Sequence, residues 1–416
     1  MTALHRLTQR VRPLVGATLA PMRRLRGAAL ARSVESSRRT TGWVSVIMPV
    51  RDVAPYIDEA VASVLSQDYW RVELFVIDDA STDGTGERLA AWQERDPRVR
   101  VLRAEVGDPN AARNLAIADA HGEYLTFLDG DDVLLAGAYR DLVGSLEASG
   151  SDFAVAAYDR LDRGRRTAAA FWIYEARHLE RRGAELESVP EIMVNAVQWS
   201  KVYRRSFWDR AGLSFPEGGH FQDQVLSAAA YARTHAFDVL RRATVAWRIR
   251  DDRSSMTQQV DRPGQIRDRF RTSREALDIL SAEAGPELAR ERLVQYLSND
   301  IAILASQLPL LDEDGWRELR TGLESLAPSF DERAVWDRVP AEFKVLYHFV
   351  IDGDEERARH YLERGGNDIL RHELVHVEGE PHIALPFWDE REVLMPLERF
   401  RAAPRELRAF QERQGV

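Results

Sequence analysis

The chain has 416 residues, 44% of them hydrophobic and 30% charged, with a net charge of −10. That length supports two or three domains with a sizeable core, and the acidic balance argues against a nucleic-acid partner. It has no cysteine, which excludes disulfides, zinc–thiolate sites and thiol nucleophiles and is in keeping with a reducing, cytoplasmic setting.

The charge is uneven. Residues 1–40 carry nine arginines against the single acid Glu35. No apolar run there approaches the roughly 18 residues of a membrane span, and Pro13 and the arginines break up any secretory core. Leu4, Leu7, Val11, Leu14, Val15, Leu19 and Met22 recur at helical spacing. Two readings stand side by side: a basic amphipathic helix in peripheral contact with the inner face of the cell membrane, or a loose arm.

From Trp43 strands and helices alternate. Strands are predicted over 44–50, 72–78, 99–103 and 124–129, and helices over 55–66, 84–95 and 110–120. This order predicts an α/β domain: a mainly parallel sheet with helices on both faces. Ligands of such sheets bind beyond the carboxyl ends of the strands. Polar residues gather there: Pro49 closes the first strand, Asp78 to Thr85 follow the second, and Asp129-Gly130-Asp131-Asp132 follow the fourth. Three carboxylates around one glycine repel one another unless a cation sits among them, and a hard divalent ion suits oxygen ligands. A solvated turn is the plainer alternative, and Ser81, Thr82 or Asp83 would also cap the next helix.

Val44 to Val50, Asp78 to Thr85, Ala111-Ala112-Arg113-Asn114 and Gly122 to Asp132 stand in the order and spacing of the family 2 inverting glycosyltransferases of GT-A fold, which this chain resembles over about 43–157 and again from Asn195 to Thr257. The resemblance implies that Pro49 and Asp79 hold the base and ribose of a nucleotide sugar and that Arg113 lies near the nucleotide. It implies that Asp129 contacts the ribose and that Asp131 coordinates Mn²⁺ or Mg²⁺, which would stabilise the departing diphosphate. Asp223, in Phe221-Gln222-Asp223, matches the family's acceptor base, a carboxylate on the face of the sugar opposite the leaving group. Gln222 departs from the family's Glu. The segment 247–257 resembles a lid over the donor, with Arg250 and Ser255 as candidate diphosphate contacts. His220 and His235 are conceivable further metal ligands. The family's Asn before Ala-Ala-Arg-Asn is replaced by Glu105-Val106-Gly107, so the donor is not fixed by the match.

No G-x-G-x-x-G and no Walker sequence competes, and the Gln-x-x-Arg-Trp segment of membrane-embedded synthases is absent. Beyond 262 the alternation stops. Helices are predicted over 266–282, 286–307, 316–326, 342–351 and 355–363, then a hairpin over 371–388. The expected organisation is a basic arm (1–40), a GT-A domain (41–262) and a mainly helical accessory domain with a small β-hairpin (263–416). The last weakly resembles the linker of wall-teichoic-acid sugar transferases, some of which are oligomers. His372, His376 and His382 are spaced like a polar strand face, so acceptor binding or oligomerisation is its expected use. The function expected is transfer of a sugar, from a UDP-sugar by preference, to a hydroxyl of a cell-envelope glycan or polyol-phosphate polymer. Two alternatives are a degenerate GT-A module that only binds nucleotide or tethers partners, and a subunit of a polymer phosphotransferase system.

Overall fold

The computed structural model describes residues 40–170, 173, 180–250, 262–328, 333–390 and 394–414. The arm over 1–39 and Ser255 lie outside the described residues. Thr40–Val50 (β1), Ile57–Leu65 (α1), Val72–Asp79 (β2), Thr85–Arg95 (α2), Val99–Ala104 (β3), Pro109–Asp119 (α3) and Gly122–Phe127 (β4) follow in the predicted alternation. Strands β3, β2, β1 and β4 lie side by side and parallel.

Alternation along β1 fixes which helix goes where. Val44, Val46, Met48 and Val50 face α1 and Leu89 of α2. Ile47, with Phe75, Ile77 and Phe127 of neighbouring strands, packs against Ala112, Ala116 and Ile117 of α3. Each such buried aliphatic side chain stabilises by roughly 1.5–3 kcal/mol. Helix α3 starts where it does because the Asp108 side chain accepts from Asn110 N at 2.7 Å and Pro109 occupies the first turn. Helix α2 differs from expectation: its N-cap is Gly84 at φ +95°, and Asp83 instead accepts from the backbone and hydroxyl of Thr85.

The sheet continues through segments to which the sequence pattern assigns no element: Val133–Leu134 (β5), Ala138–Ser149 (α4), Phe153–Asp162 (β6), Arg165–Ala168 (β7), Arg181–Ala184 (β8), Lys201–Arg204 (β9) and Arg205–Arg210 (α5). Then come Asp223–Arg233 (α6) and Phe237–Arg248 (β10). The strand order is β3-β2-β1-β4-β9-β6-β10-β5, with β7 on β6 and β8 on β10. Strand β9 is antiparallel to both β4 and β6, whereas β6 and β10 are parallel to each other. The sheet is therefore mixed and mainly parallel across its first four strands.

The C-terminal region is helical, as expected. It comprises Pro263–Glu283 (α7), Pro286–Gln295 (α8), Ile301–Ser306 (α9), Glu313–Leu326 (α10), Arg333–Trp336 (α11), Ala341–Ile351 (α12), Glu355–Glu363 (α13) and Pro404–Gln414 (α14). The single helix predicted over 286–307 is interrupted by a π turn at Tyr296–Asp300. The hairpin is Leu374–Val377 (β11) and Glu380–Ile383 (β12), joined by Glu378 and Gly379, both at positive φ, which suits a tight two-residue turn. One apolar core runs without a break from Phe127 and Phe153 through Tyr231, Phe270 and Leu297 to Tyr347 and Phe410. Among the described residues no helix is long and apolar enough to cross a membrane.

The join of β1 to β4 carries the site and tolerates little change. Gly122 N donates to Ser45 Oγ at 2.8 Å, and Ser45 Oγ donates to the buried Glu73 at 2.5 Å. A Cβ at Gly122 would stand 2.7 Å from Ser45 N and Trp43 O. Gly122→Ala is expected to destabilise the protein by about 1–3 kcal/mol, read as a lowered urea midpoint; an unchanged midpoint would show that the two strands can part there at no cost.

Candidate active site

The register aligns the carboxyl ends of the strands: Pro49 lies beside Ile77 and Val50 beside Asp78, and Leu128 N donates to Ile47 O at 3.1 Å. The loop after β1 is stitched to the loop after β2. Asp52 N donates to Ser81 Oγ, Thr82 N to Asp52 Oδ1, Val53 N to Thr85 Oγ1 and Ala54 N to Asp83 Oδ2, all within 2.8–3.0 Å. Asp79 is buried, and its Oδ1 accepts from Val106 N at 2.7 Å and Gly107 N at 3.2 Å. The segment that departs from the family's usual Asn thus ties down the loop after β3.

Arg113 and Asp129 meet. Arg113 Nη2 donates to Asp129 Oδ1 at 2.6 Å and Nη1 to Asn110 at 2.8 Å, with the guanidinium over the Phe215 ring. The next two acids are held by the end of β10. Arg250 Nε donates to Asp131 Oδ2 at 2.6 Å, Arg248 Nε to Asp131 O at 2.7 Å and Arg248 N to Asp132 Oδ1 at 2.8 Å. Gly130 is required between Asp129 and Asp131, because a Cβ there would run into Val50 Cγ1. Burial raises the Asp131 carboxyl pKa, with Arg250 opposing; Asp132, more deeply buried and beside Asp131 and Asp129, is pushed well above the usual range.

This arrangement bears on a metal. Among the described residues no three His, Asp or Glu side chains converge as a ready-made cation cage. Asp132 Oδ2 is nevertheless buried with no hydrogen-bond partner, directly after Asp131, whose carboxylate faces Arg250. Such a pair fits a divalent ion that takes one or two carboxylates and completes its shell from substrate phosphates and water.

Asp223 comes to the same edge. Because β9 runs antiparallel to β4, its start lies beside the end of β4, with Val202 opposite Thr126. Gln198, just before β9, donates to Asp223 O at 3.2 Å and to Ser227 Oγ at 2.8 Å. Asn114 on α3 fixes the approach by bonding Phe215 N and O, and Gly218 N donates to Asp108 Oδ2 at 2.6 Å. Asp223 is the first residue of α6; Gln222 occupies the N-cap position. Gln222 Nε2 bonds Gly218 O, and its Oε1 is buried without a partner. Burial raises the Asp223 pKa, and Arg269 and Lys201 pull it back.

Two candidate ligands are not with the acids. The His220 ring bonds Asp268 at 2.9 Å. His235 is exposed at the start of β10, its N–H donating to Asp152 at the opposite edge of the sheet. A cleft of about 590 Å³ at the ends of β2 and β3, lined by Asp78, Ser81, Gly86, Glu87, Arg103 and Glu105 among others, contains none of the candidate donor residues. Sequence reasoning missed Lys201, Arg269 and Asp300 around Asp223. The one available signal was a solitary lysine opening a strand.

The acids at the ends of β2 and β4 and Asp223 at the start of α6 thus lie at the carboxyl edge of the sheet, where ligands of such sheets bind. Residues 45–210 match the family model described as Glycosyl transferase family 2, and this stretch of the chain is a domain of that family. Among relatives, the uncharacterized glycosyltransferase EpsJ of Bacillus subtilis (strain 168) is 27% identical over 223 residues, covering 53% of this chain and 64% of EpsJ. Glycosyltransferase GlyG of Streptococcus pneumoniae is 34% identical over 120 residues, covering 29% of this chain and 40% of GlyG. The chain thus spans less than two thirds of either relative. In fold it is similar to residues 1–349 of S. aureus TarS, solved in complex with UDP-GlcNAc, with a TM-score of 0.64 at 19% identity over 82% of this chain and 96% of that one.

The buried acids yield a prediction for the protein in EDTA. A carboxyl whose pKa is raised on folding favours the folded state while protonated, and that contribution is lost as pH rises from its ordinary value of 3.8 through the folded-state value. Asp132→Asn is therefore expected to gain stability over wild type as the pH is raised, measured by melting temperature at a series of pH values. A constant difference across the series would show that Asp132 does not titrate in this way.

Proposed function

We propose that this chain transfers a sugar, with inversion, from a nucleoside-diphosphate sugar to a hydroxyl of a cell-envelope glycan or teichoic-acid-like polymer. The observation that carries the reading is the meeting at one sheet edge of the Arg113–Asp129 pair, the Asp131–Arg250 pair and Asp223. Pro49 and Asp79 border the place for base and ribose, and the free oxygen of Asp79 suits a pyrimidine N–H. A UDP-sugar is favoured, in line with the UDP-GlcNAc complex of the TarS structure.

Asp131, with Asp132 behind it, would hold Mn²⁺ or Mg²⁺, and the ion would stabilise negative charge on the departing diphosphate. Arg250, already at Asp131, supplies a guanidinium that can fork onto phosphate oxygens. Asp223 takes the proton of the acceptor hydroxyl as its oxygen bonds to the anomeric carbon and the bond from that carbon to the phosphate oxygen breaks. The nucleoside diphosphate leaves with the electron pair. Burial suits Asp223 to this work, since a raised pKa strengthens it as a base while Arg269 favours its ionised form. The helical region and the basic arm are assigned to acceptor, membrane-surface or subunit contacts at the inner face of the cell membrane.

The test is a thermal-shift screen against UDP-, CDP-, GDP- and dTDP-sugars, each with Mn²⁺ and with EDTA. A ligand of the native state at about 100 times its Kd stabilises by about 2.7 kcal/mol. One nucleotide class is expected to raise the melting temperature only with metal, and Asp131→Ala to abolish the rise. Asp223→Asn is expected to retain the rise and to lose transfer by at least a hundredfold, the scale of general-base catalysis. Folded protein that no donor stabilises would instead favour a nucleotide-free scaffolding module.

A further inference from the structure

Asp223 opens α6, but the residues on both sides of it are gripped from the C-terminal helical region. Phe221, two residues earlier, has φ +60°, a left-handed conformation that is strained for an aromatic residue and persists only where the surroundings impose it. What covers its ring is Arg269 of α7, whose guanidinium carbon lies 3.6 Å from the ring centroid. Arg269 Nη1 in turn donates to Asp300 Oδ1 at 3.2 Å. Asp300 ends the π turn that interrupts the long helix after Pro286, and its second oxygen lies 3.8 Å from Arg292. On the other side of Asp223, the Gln224 side-chain oxygen accepts from Arg292 Nη2 at 2.6 Å and from Tyr296 Oη at 3.1 Å. Arg292 and Tyr296 are both buried. Strained backbone and π turns each tend to be retained where function requires them, and here Arg269 links the two beside Asp223.

We propose that Arg269 and Asp300 are positioning residues that set the orientation and charge state of the Asp223 carboxyl, so that the C-terminal helical region completes the active centre. This rests on the reading of Asp223 as the base. The charged groups that face Asp223 come from four elements: Arg269 of α7, Lys201 of β9 and Arg113 of α3 favour its ionised form, and Asp300 of the π turn opposes it. Arg269 is the strongest of the three cations. Lys201 is a less dependable one, because complete burial pushes its own pKa down to about 7. A guanidinium does not titrate in this range. The larger permanent positive charge at the base is therefore supplied by α7, with Arg113 of α3 the weaker one, and Asp300 hydrogen-bonds the α7 guanidinium.

The two residues act on Asp223 with opposite sign, which separates electrostatics from general damage. In full-length protein with aspartate ¹³C-labelled at the side-chain carboxyl, the Asp223 resonance is assigned from its absence in Asp223→Asn and titrated by NMR. Arg269→Met is expected to raise the Asp223 pKa by about one unit and Asp300→Asn to lower it by a smaller amount, while Arg269→Lys stays near wild type. In the transfer assay the acidic limb of the kcat profile moves in the same directions, and stabilisation by nucleotide with Mn²⁺ is unchanged. If Arg269→Met does not fold, Asp300→Asn and Arg269→Lys carry the test through the same titration. An Asp223 titration that is the same in all folded variants, or that moves in one direction for both charge changes, overturns the proposal. Loss of the base reading is distinguishable: transfer would survive Asp223→Asn whatever the titration shows.

Discussion

Three carboxylates within four residues at the end of β4 are the constraint around which this protein is built. Buried like charges are costly, and each of these acids is held by a different element. Asp129 is paired by Arg113 from α3, Asp131 by Arg250 beyond β10, and Asp132 accepts a backbone N–H from Arg248. The sheet has to bring β10 across to the acids that follow β4, and the strand order does so through β9 and β6. An acid left over, Asp132 Oδ2, marks where the protein's own compensation stops.

That compensation explains why glycine and strand geometry matter so much nearby. Gly130 lies against Val50 with no room for a Cβ, so the acidic turn is pressed onto the end of β1. Val50 itself is positioned by the parallel register of β1 with β2. Packing on the two faces of the sheet, by α1 and α2 on one and α3 on the other, therefore fixes the charges at its edge. The same logic extends to Asp223, whose approach is set by Asn114 on α3 and whose flanks are held by α7, α8 and the π turn.

The GT-A alternation was legible because its helices and strands are long enough to show period 3.6 or period 2, and because Asp79, Asp129 and Asp131 fall where strands end. Strands β7 and β8 were not legible. Arg165–Ala168 is exposed throughout and Arg181–Ala184 nearly so, so neither carries an apolar face. The π turn was hidden for a different reason: Tyr296 to Asp300 continues a helical pattern, and one extra residue in a turn leaves no periodic trace. His220 and His235 show the converse, that residue type alone does not make a ligand. Both are plausible ligands by type, yet one is paired to Asp268 and the other lies at the far edge of the sheet.

The sequence by itself determined the alternation of strands and helices from Val44 to Asp129, the family of residues 45–210 and the identity of the acids at the strand ends, because these are local patterns. The tertiary structure alone decided which cations meet those acids. Arg250 reaches Asp131, and Arg269, held by Asp300, reaches the Phe221 ring beside Asp223, only through packing between residues far apart in the chain, and no local pattern encodes which arginine of many comes to which carboxylate.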